Sequence, residues 1–284
     1  MRILTIGSGL VGSRFASLAR EGGHHVIGTT TTGARLAEVA EVADEARLLV
    51  GSDADAVEEA ARACDAIVVT AGPAAARAMT REDRAASYRE VLVGTAGSVV
   101  ATSGSPRLVM LSSLSVYGDA ADGLDVIDED APTTSSDDPS PSNFLAAERT
   151  YLDAAGERTA VLRCADIFGA DDPPIEAKVR MAHEMLGGSV PFRGDALFYR
   201  VHVDDVAGAI LHALDTGVSG VFNLTHEQVP PTNRELFDTI GTAMGFAPLT
   251  FRDEIASPAR PISSRRITGT GFVLSATEAA TLPG

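Results

Sequence analysis

A chain of 284 residues with 45% apolar side chains is long for one domain and short for two, which predicts one α/β domain carrying an appended lobe. Its 39 acidic residues against 23 basic ones give a formal net charge of −16, which argues against nucleic-acid or acidic-membrane partners. No apolar run approaches a membrane span and the chain starts directly on its first strand, so no signal peptide and a cytoplasmic location are expected.

The basic side chains are almost all arginine, Lys178 being the sole lysine. Abundant Asp and Glu with almost no Lys suits a salt-adapted protein; GC-rich codon usage in a mildly acidic protein gives the same pattern. Cys64 and Cys164 lie far apart in apolar, strand-like runs and read as buried thiols in a reducing compartment. No His, Cys and carboxylate spacing suggests a metal.

In chain order, Ile3 to Ile6 reads as a buried parallel strand, followed by Gly7-Ser8-Gly9-Leu10-Val11-Gly12 and then Phe15, Leu18 and Ala19 at helical spacing. A strand, a G-x-G-x-x-G turn and a helix form the context of a dinucleotide site. Gly7 permits the tight turn, Gly9 the approach of a pyrophosphate, and Gly12 close packing of helix on strand. The helix N-terminus offers free N–H groups to the phosphates. The plainer alternative is a glycine turn with no ligand.

His25 to Thr29 is the second strand, ending in Thr29-Thr30-Thr31-Thr32-Gly33-Ala34-Arg35. An NAD site places Asp or Glu near this strand end for the ribose hydroxyls. Here Thr30 and its neighbours offer only hydroxyls, and Arg35 is placed to pair with a 2′-phosphate. NADP is therefore expected in preference to NAD, unless Arg35 merely opens a solvated helix.

Helices are expected over Ala34–Ala46, Ala56–Cys64, Tyr88–Ala101 and Phe144–Ala155. Strands are expected over Arg47–Val50, Asp65–Thr70, Leu108–Leu111 and Thr159–Arg163. The fourth strand ends at Ala71-Gly72-Pro73, where small residues would let a cofactor lie against backbone. The alternation predicts a doubly wound, Rossmann-type parallel sheet with ligands at the carboxyl ends of its strands. Residues 119–142, rich in Asp, Ser, Thr and Pro, read as a surface loop with a solvated charge run. Beyond residue 165 the alternation breaks. Tyr199–Val203 and Val221–Leu224 read as a strand pair returning toward the sheet. The expected division is a dinucleotide-binding domain over 1–165 and a smaller, interleaved substrate lobe over 166–284.

Five stretches together resemble the extended and atypical short-chain dehydrogenases/reductases, the NAD-dependent epimerase/dehydratase group. They are Ser112-Ser113-Leu114-Ser115-Val116-Tyr117-Gly118, Tyr88 to Thr95, Leu162 to Gly169, Arg200-Val201-His202-Val203-Asp204-Asp205-Val206-Ala207 and Gly220 to Leu224. The resemblance implies that Ser113 polarises a substrate oxygen, although a serine at a strand end also commonly bonds loop backbone. It implies that Arg200 meets a substrate anion, that Tyr117 shapes the pocket, and that copies pair through the helices matching Tyr88–Ala101 and Phe144–Ala155. His202 reads as a hydrogen-bonded structural residue, and Asp204 with Asp205 as a helix N-cap pair.

The departures are specific. The family's Tyr-x-x-x-Lys pair carries proton transfer and holds the nicotinamide ribose. Registering the helix on Leu145-Ala146-Ala147-Glu148 places Ser140 at the tyrosine and Phe144 at the lysine. Ser140 cannot act as a phenolate, and Phe144 has no charge with which to lower a pKa. Tyr117 and Tyr151 are the candidate substitutes, Tyr117 reading more as a pocket wall and Tyr151 as helix packing. Two functions follow: a nicotinamide-dependent oxidoreductase or epimerase acting on a small hydroxy or keto substrate such as a sugar derivative, or a non-catalytic NADP-binding sensor or structural protein.

Overall fold

The computed structural model describes residues 1–73, 80–170 and 172–275. Its centre is a seven-stranded, all-parallel sheet. The strands are β1 (Arg2–Ile6), β2 (His25–Thr30), β3 (Glu45–Leu48), β4 (Ala66–Val69), β5 (Arg107–Ser113), β6 (Thr159–Cys164) and β10 (Gly220–Leu224), in spatial order β10-β6-β5-β4-β1-β2-β3. The order reverses between β1 and β4, the position where doubly wound sheets open a crevice at their carboxyl edge. The predicted fold class stands.

The strands read as apolar runs because both faces are covered. Ile3, Val68 and Leu162 face one core with α1 (Leu10–Glu21) and α8 (Val203–Thr216). Leu4, Ile67 and Val161 face the other with α3 (Ala54–Ala61), α5 (Thr95–Val100) and α6 (Pro139–Ala155). A separate small core forms where Val179 of α7 (Ile175–Glu184) meets Leu236, Phe237 and Ile240 of α9 (Asn233–Ala243) beside the parallel pair β8 (Ser189–Phe192) and β11 (Thr250–Ile255).

Several boundaries differ from expectation, and side-chain caps explain most of them. The helix expected over Ala34–Ala46 is a 3₁₀ turn, Gly33–Arg35, and then α2 (Leu36–Val42). It stops because Asp44 accepts the Val26 N–H at 2.9 Å, and Glu45 is bound by Arg2 at 2.5 Å, Arg47 at 2.6 Å and His25 at 2.9 Å. Those bonds, led by the one to His25, hold the Glu45 carboxyl down at about 2. Polar residues that look helical thus clamp the edge strand, and β3 lies two residues earlier than expected. Likewise Asp53 starts α3 by accepting the Ala56 N–H at 3.1 Å, and Asp138 starts α6 at Pro139 by accepting the Ser140 N–H at 2.9 Å. The helix expected from Tyr88 begins earlier, as α4 (Arg81–Tyr88) capped by Thr80, and widens into a π turn, Arg89–Gly94, before α5.

Three further expectations are corrected. The stretches around Tyr199–Val203 and Val221–Leu224 do not pair with each other: β9 (Arg200–His202) pairs with β7 (Asp166–Phe168), whereas β10 joins β6 in the main sheet. Residues 119–142 are not simply a solvated loop, because Ile127 is fully buried and Glu129 accepts the Asn223 N–H of β10 at 2.8 Å. The N-cap of α8 is His202, whose Nδ1 accepts the Asp204 N–H at 3.2 Å. Asp204 instead pairs with Arg14, and Asp205 accepts from the Ser275 N–H and hydroxyl at 2.8 and 3.0 Å.

Candidate functional site

The turn between β1 and α1 is shaped for close approach. Gly7 sits at φ 99°, and a Cβ there would lie 2.7 Å from the Ala71 backbone. A Cβ at Gly12 would land on the Gly7 carbonyl and 2.7 Å from Thr70 Oγ1, so helix and strand touch through it. A Cβ at Gly9 would meet no protein atom within 4 Å. Gly9 also leaves the first turn of α1 without a side-chain cap, and Leu10 beside it is 49% exposed although apolar. An open concavity with free N–H groups at a helix start fits a pyrophosphate. Ser8 closes the far side: its buried Oγ has no partner among the described residues, while its carbonyl accepts from Ser13 Oγ at 3.1 Å.

The β2 tip carries hydroxyls already in use. Thr29 Oγ1 accepts the Gly7 N–H at 3.1 Å, and Thr30 Oγ1 accepts the Thr32 N–H at 3.2 Å. Arg35 folds back over the turn, donating from Nη2 to the Ser8 carbonyl at 2.9 Å and from Nε to Glu38 at 3.0 Å. A cation therefore stands at the rim of the glycine turn.

From this turn a cleft of about 570 Å³ runs along the carboxyl edge of the sheet. Val11, Ala71 and Gly72 border it at one end. Ser113 and Ser115 border it at the carboxyl end of β5, Ser140 and Phe144 from α6, and Tyr88 from α4. Cys164, Ala165 and Asp166 border it at the carboxyl end of β6, and Tyr199, Ser257 and Pro258 line it as well. Its described lining is hydroxyl, apolar and aromatic, with one carboxylate and no cationic side chain. Ser113 Oγ accepts the Ser115 N–H at 3.2 Å, a backbone role that leaves its own hydrogen free to donate. Burial pushes the Cys164 thiol up, and the sulfur bonds the Leu162 carbonyl at 3.5 Å.

Two residues expected at the substrate stand elsewhere. Tyr117 is fully buried; it donates to Asn223 Oδ1 at 2.7 Å, accepts from Arg163 at 3.0 Å, and burial raises its pKa. Arg200 does not border the cleft. Its guanidinium bonds Asp172 at 2.7 Å and covers the Phe168 ring at 3.9 Å, so its charge is already matched. Lys178 joins the same carboxylates, at 3.2 Å from Asp172 and 3.5 Å from Asp166. Tyr151 packs inside α6, as expected for a helix residue, at 1% exposure. The sequence pattern marks Tyr88 only as part of a helix, and no local signal marks Tyr199, Ser257 or Pro258, yet all four border the cleft.

The family model described as "NAD dependent epimerase/dehydratase family" matches residues 3–225. By sequence, no curated protein matches the chain at a significant level. Among solved structures, the UDP-glucose 4-epimerase of Thermotoga maritima with UDP-glucose superposes at TM-score 0.74 with 18% identity, covering 98% of this chain and 94% of that one. A short-chain dehydrogenase/reductase superfamily protein from Agrobacterium tumefaciens with bound NAD gives 0.74 and 19%, covering 98% and 93%. The UDP-glucose 4-epimerase of Thermus thermophilus in complex with NAD gives 0.72 and 20%, covering 97% and 94%. At such identities the structural likeness carries the fold.

Proposed function

The chain belongs to the NAD-dependent epimerase/dehydratase family, and from that premise we propose that it binds NADP(H) in preference to NAD(H) and acts on a small hydroxy or keto substrate. The observation that carries this reading is continuity: Val11 at the end of the glycine turn, the bare backbone at Ala71-Gly72 and Ser113 all border one path along the sheet edge. In this reading Gly7, Ser8, Gly9, Leu10, Val11 and Gly12 hold the pyrophosphate, Thr30 and Arg35 the adenosine ribose, and Ala71 and Gly72 the central part. When bound, the cofactor supplies hydride exchange with a carbinol carbon. Ser113 donates to the substrate oxygen. A lining rich in hydroxyls suits a sugar-derived substrate, the kind carried by the Thermotoga maritima protein. We place the division between the two substructures near residue 165.

The family register puts Ser140 and Phe144 in the positions of its tyrosine and lysine, and both side chains border the cleft. Phe144 brings no charge to a nicotinamide ribose. That favours a second reading, a non-catalytic NADP-binding protein, which reduced-cofactor turnover on neutral hydroxyketones separates from the first.

Fluorescence titration is expected to show tighter binding of NADPH than of NADH. Arg35→Ala should weaken NADPH by roughly tenfold, the size of one charge-assisted hydrogen bond, and NADH much less. A preference for NADH would refute the assignment.

The same proposal covers the surroundings. With both cysteines free, the thiols suit a cytoplasmic setting. If the acidic surface is a salt adaptation, molar KCl screens its self-repulsion and the melting midpoint rises with salt. A flat or falling midpoint favours codon usage. Pairing of two copies through α4–α5 and α6 would give a dimer mass in light scattering at micromolar concentration; a monomer mass would remove it.

A further inference from the structure

We propose that Tyr88 is the catalytic acid–base of this cleft, giving its phenolic proton to the substrate oxygen in the place where the family register leaves Ser140. The inference rests on the cofactor and substrate reading above and goes beyond it by naming the proton donor.

The chain has four tyrosines, and the structure separates them. Tyr117 is fully buried and locked between Asn223 and Arg163. Tyr151 is sealed in the core under α6. Tyr199 borders the cleft but is 7% exposed, and its oxygen accepts the Ile262 N–H at 3.0 Å; burial raises its pKa. Tyr88 is half-buried, borders the same cleft as Ser113 and Ser140, and its hydroxyl makes no hydrogen bond among the described residues.

Its placement is fixed by packing. The ring stands edge-on to Phe144, 6.4 Å between centroids at 85°, so the residue in the lysine position braces the phenol instead of charging it. The Arg84 guanidinium lies 5.4 Å from the Tyr88 ring centroid, held by Asp138 at 3.3 Å. A cation there lies beside the negative charge that a phenolate carries after proton transfer. The helix widens into its π turn directly after Tyr88, a local irregularity of the kind that collects at functional sites.

The competing proton sources are weaker. Cys164 is raised by burial and bonded to backbone, Asp166 faces Lys178, and the serines are poor acids. In reduction, the carbonyl carbon receives hydride from the reduced nicotinamide and the C=O π pair moves onto oxygen. The Tyr88 O–H bond breaks, and its proton completes the alcohol. Oxidised nicotinamide and a Tyr88 phenolate remain, and the phenolate takes a proton from water. Oxidation of an alcohol runs the same steps in reverse.

The test uses the full chain with NADPH and dihydroxyacetone, a neutral hydroxyketone. Tyr88→Phe is expected to lower kcat about 10²–10⁴-fold, the usual worth of a positioned acid, with NADPH affinity unchanged within twofold. A readout independent of turnover is nitration by tetranitromethane mapped by mass spectrometry. Tyr88 should react before the three buried tyrosines, and NADP⁺ with dihydroxyacetone should protect it. Full kcat in Tyr88→Phe, or nitration of Tyr88 that these ligands leave unprotected, would overturn the assignment. So would NADPH binding without any reduction by the wild type. Failure to bind NADPH at all would remove the cofactor reading itself, and the proposal with it.

Discussion

Valine at Gly9 is expected to abolish NADPH binding, lowering affinity at least ~100-fold, or about 3 kcal/mol, while the melting midpoint stays within a degree or two of wild type. The two effects separate because of where the side chain goes. Gly9 has φ −83° and ψ −156°, extended backbone that a β-branched residue adopts without strain, and its Cβ position faces open space. The added methyls therefore touch no protein and fill the concavity where a pyrophosphate would approach the start of α1. Gly12→Ala is the contrasting control. Its Cβ meets the Gly7 carbonyl and Thr70 Oγ1, so the helix must shift, at a cost of about 1–3 kcal/mol in stability. Fluorescence titration and thermal melts on both variants read the two quantities independently. Wild-type NADPH affinity in Gly9→Val would show that phosphates do not lie on this turn.

That contrast also shows which parts of the site are legible in the chain. The turn is local: strand, glycines and helix are contiguous, and each glycine answers to a neighbour that the βα unit itself supplies. The sheet is legible for a similar reason, since parallel strands buried on both faces must be written as runs such as Ile3 to Ile6. What fails are choices between distant partners. Arg200 looks like a free cation until Asp172, 28 residues earlier, is folded against it. Tyr117 looks like a cleft wall until Asn223 and Arg163 arrive on neighbouring strands and take its hydroxyl. Tyr88 becomes a site residue only because Thr80 starts α4 early enough to carry it against Phe144. Helix ends slipped for one recurring cause: Asp44, Asp53 and Asp138 spend their carboxylates on backbone N–H groups, and periodicity does not register a cap.

Glu148→Ala is expected to cost about 3–5 kcal/mol of stability, because it takes the anionic partner from a buried guanidinium. Glu148 on α6 and Arg163 on β6 have side chains 4% and 7% exposed and meet through bonds of 2.7, 3.1 and 3.3 Å. Burial opposes the Arg163 charge, but the bonds to Glu148 outweigh it and its pKa is raised. The pair belongs to a chain of contacts beneath the cleft. Ser112, which borders the cleft, donates to Glu148 at 2.5 Å; Arg163 donates to Tyr117, Tyr117 to Asn223, and the Asn223 N–H to Glu129 at 2.8 Å. Removing the carboxylate leaves Arg163 with only the Tyr117 hydroxyl to bond and the Ser112 hydroxyl without its acceptor, and the midpoint should fall by roughly 10 °C in calorimetry. Replacing both members, as Glu148→Leu with Arg163→Met, should recover much of that loss, since two apolar side chains of similar volume leave no buried charge. The double variant would still lack the Ser112 acceptor beside Ser113. If the stranded charge is what Glu148→Ala costs, stability should therefore return in the double variant before the geometry of the strand end does. A double variant no more stable than Glu148→Ala would instead mean that the contacts through Tyr117 and Asn223 carry the loss.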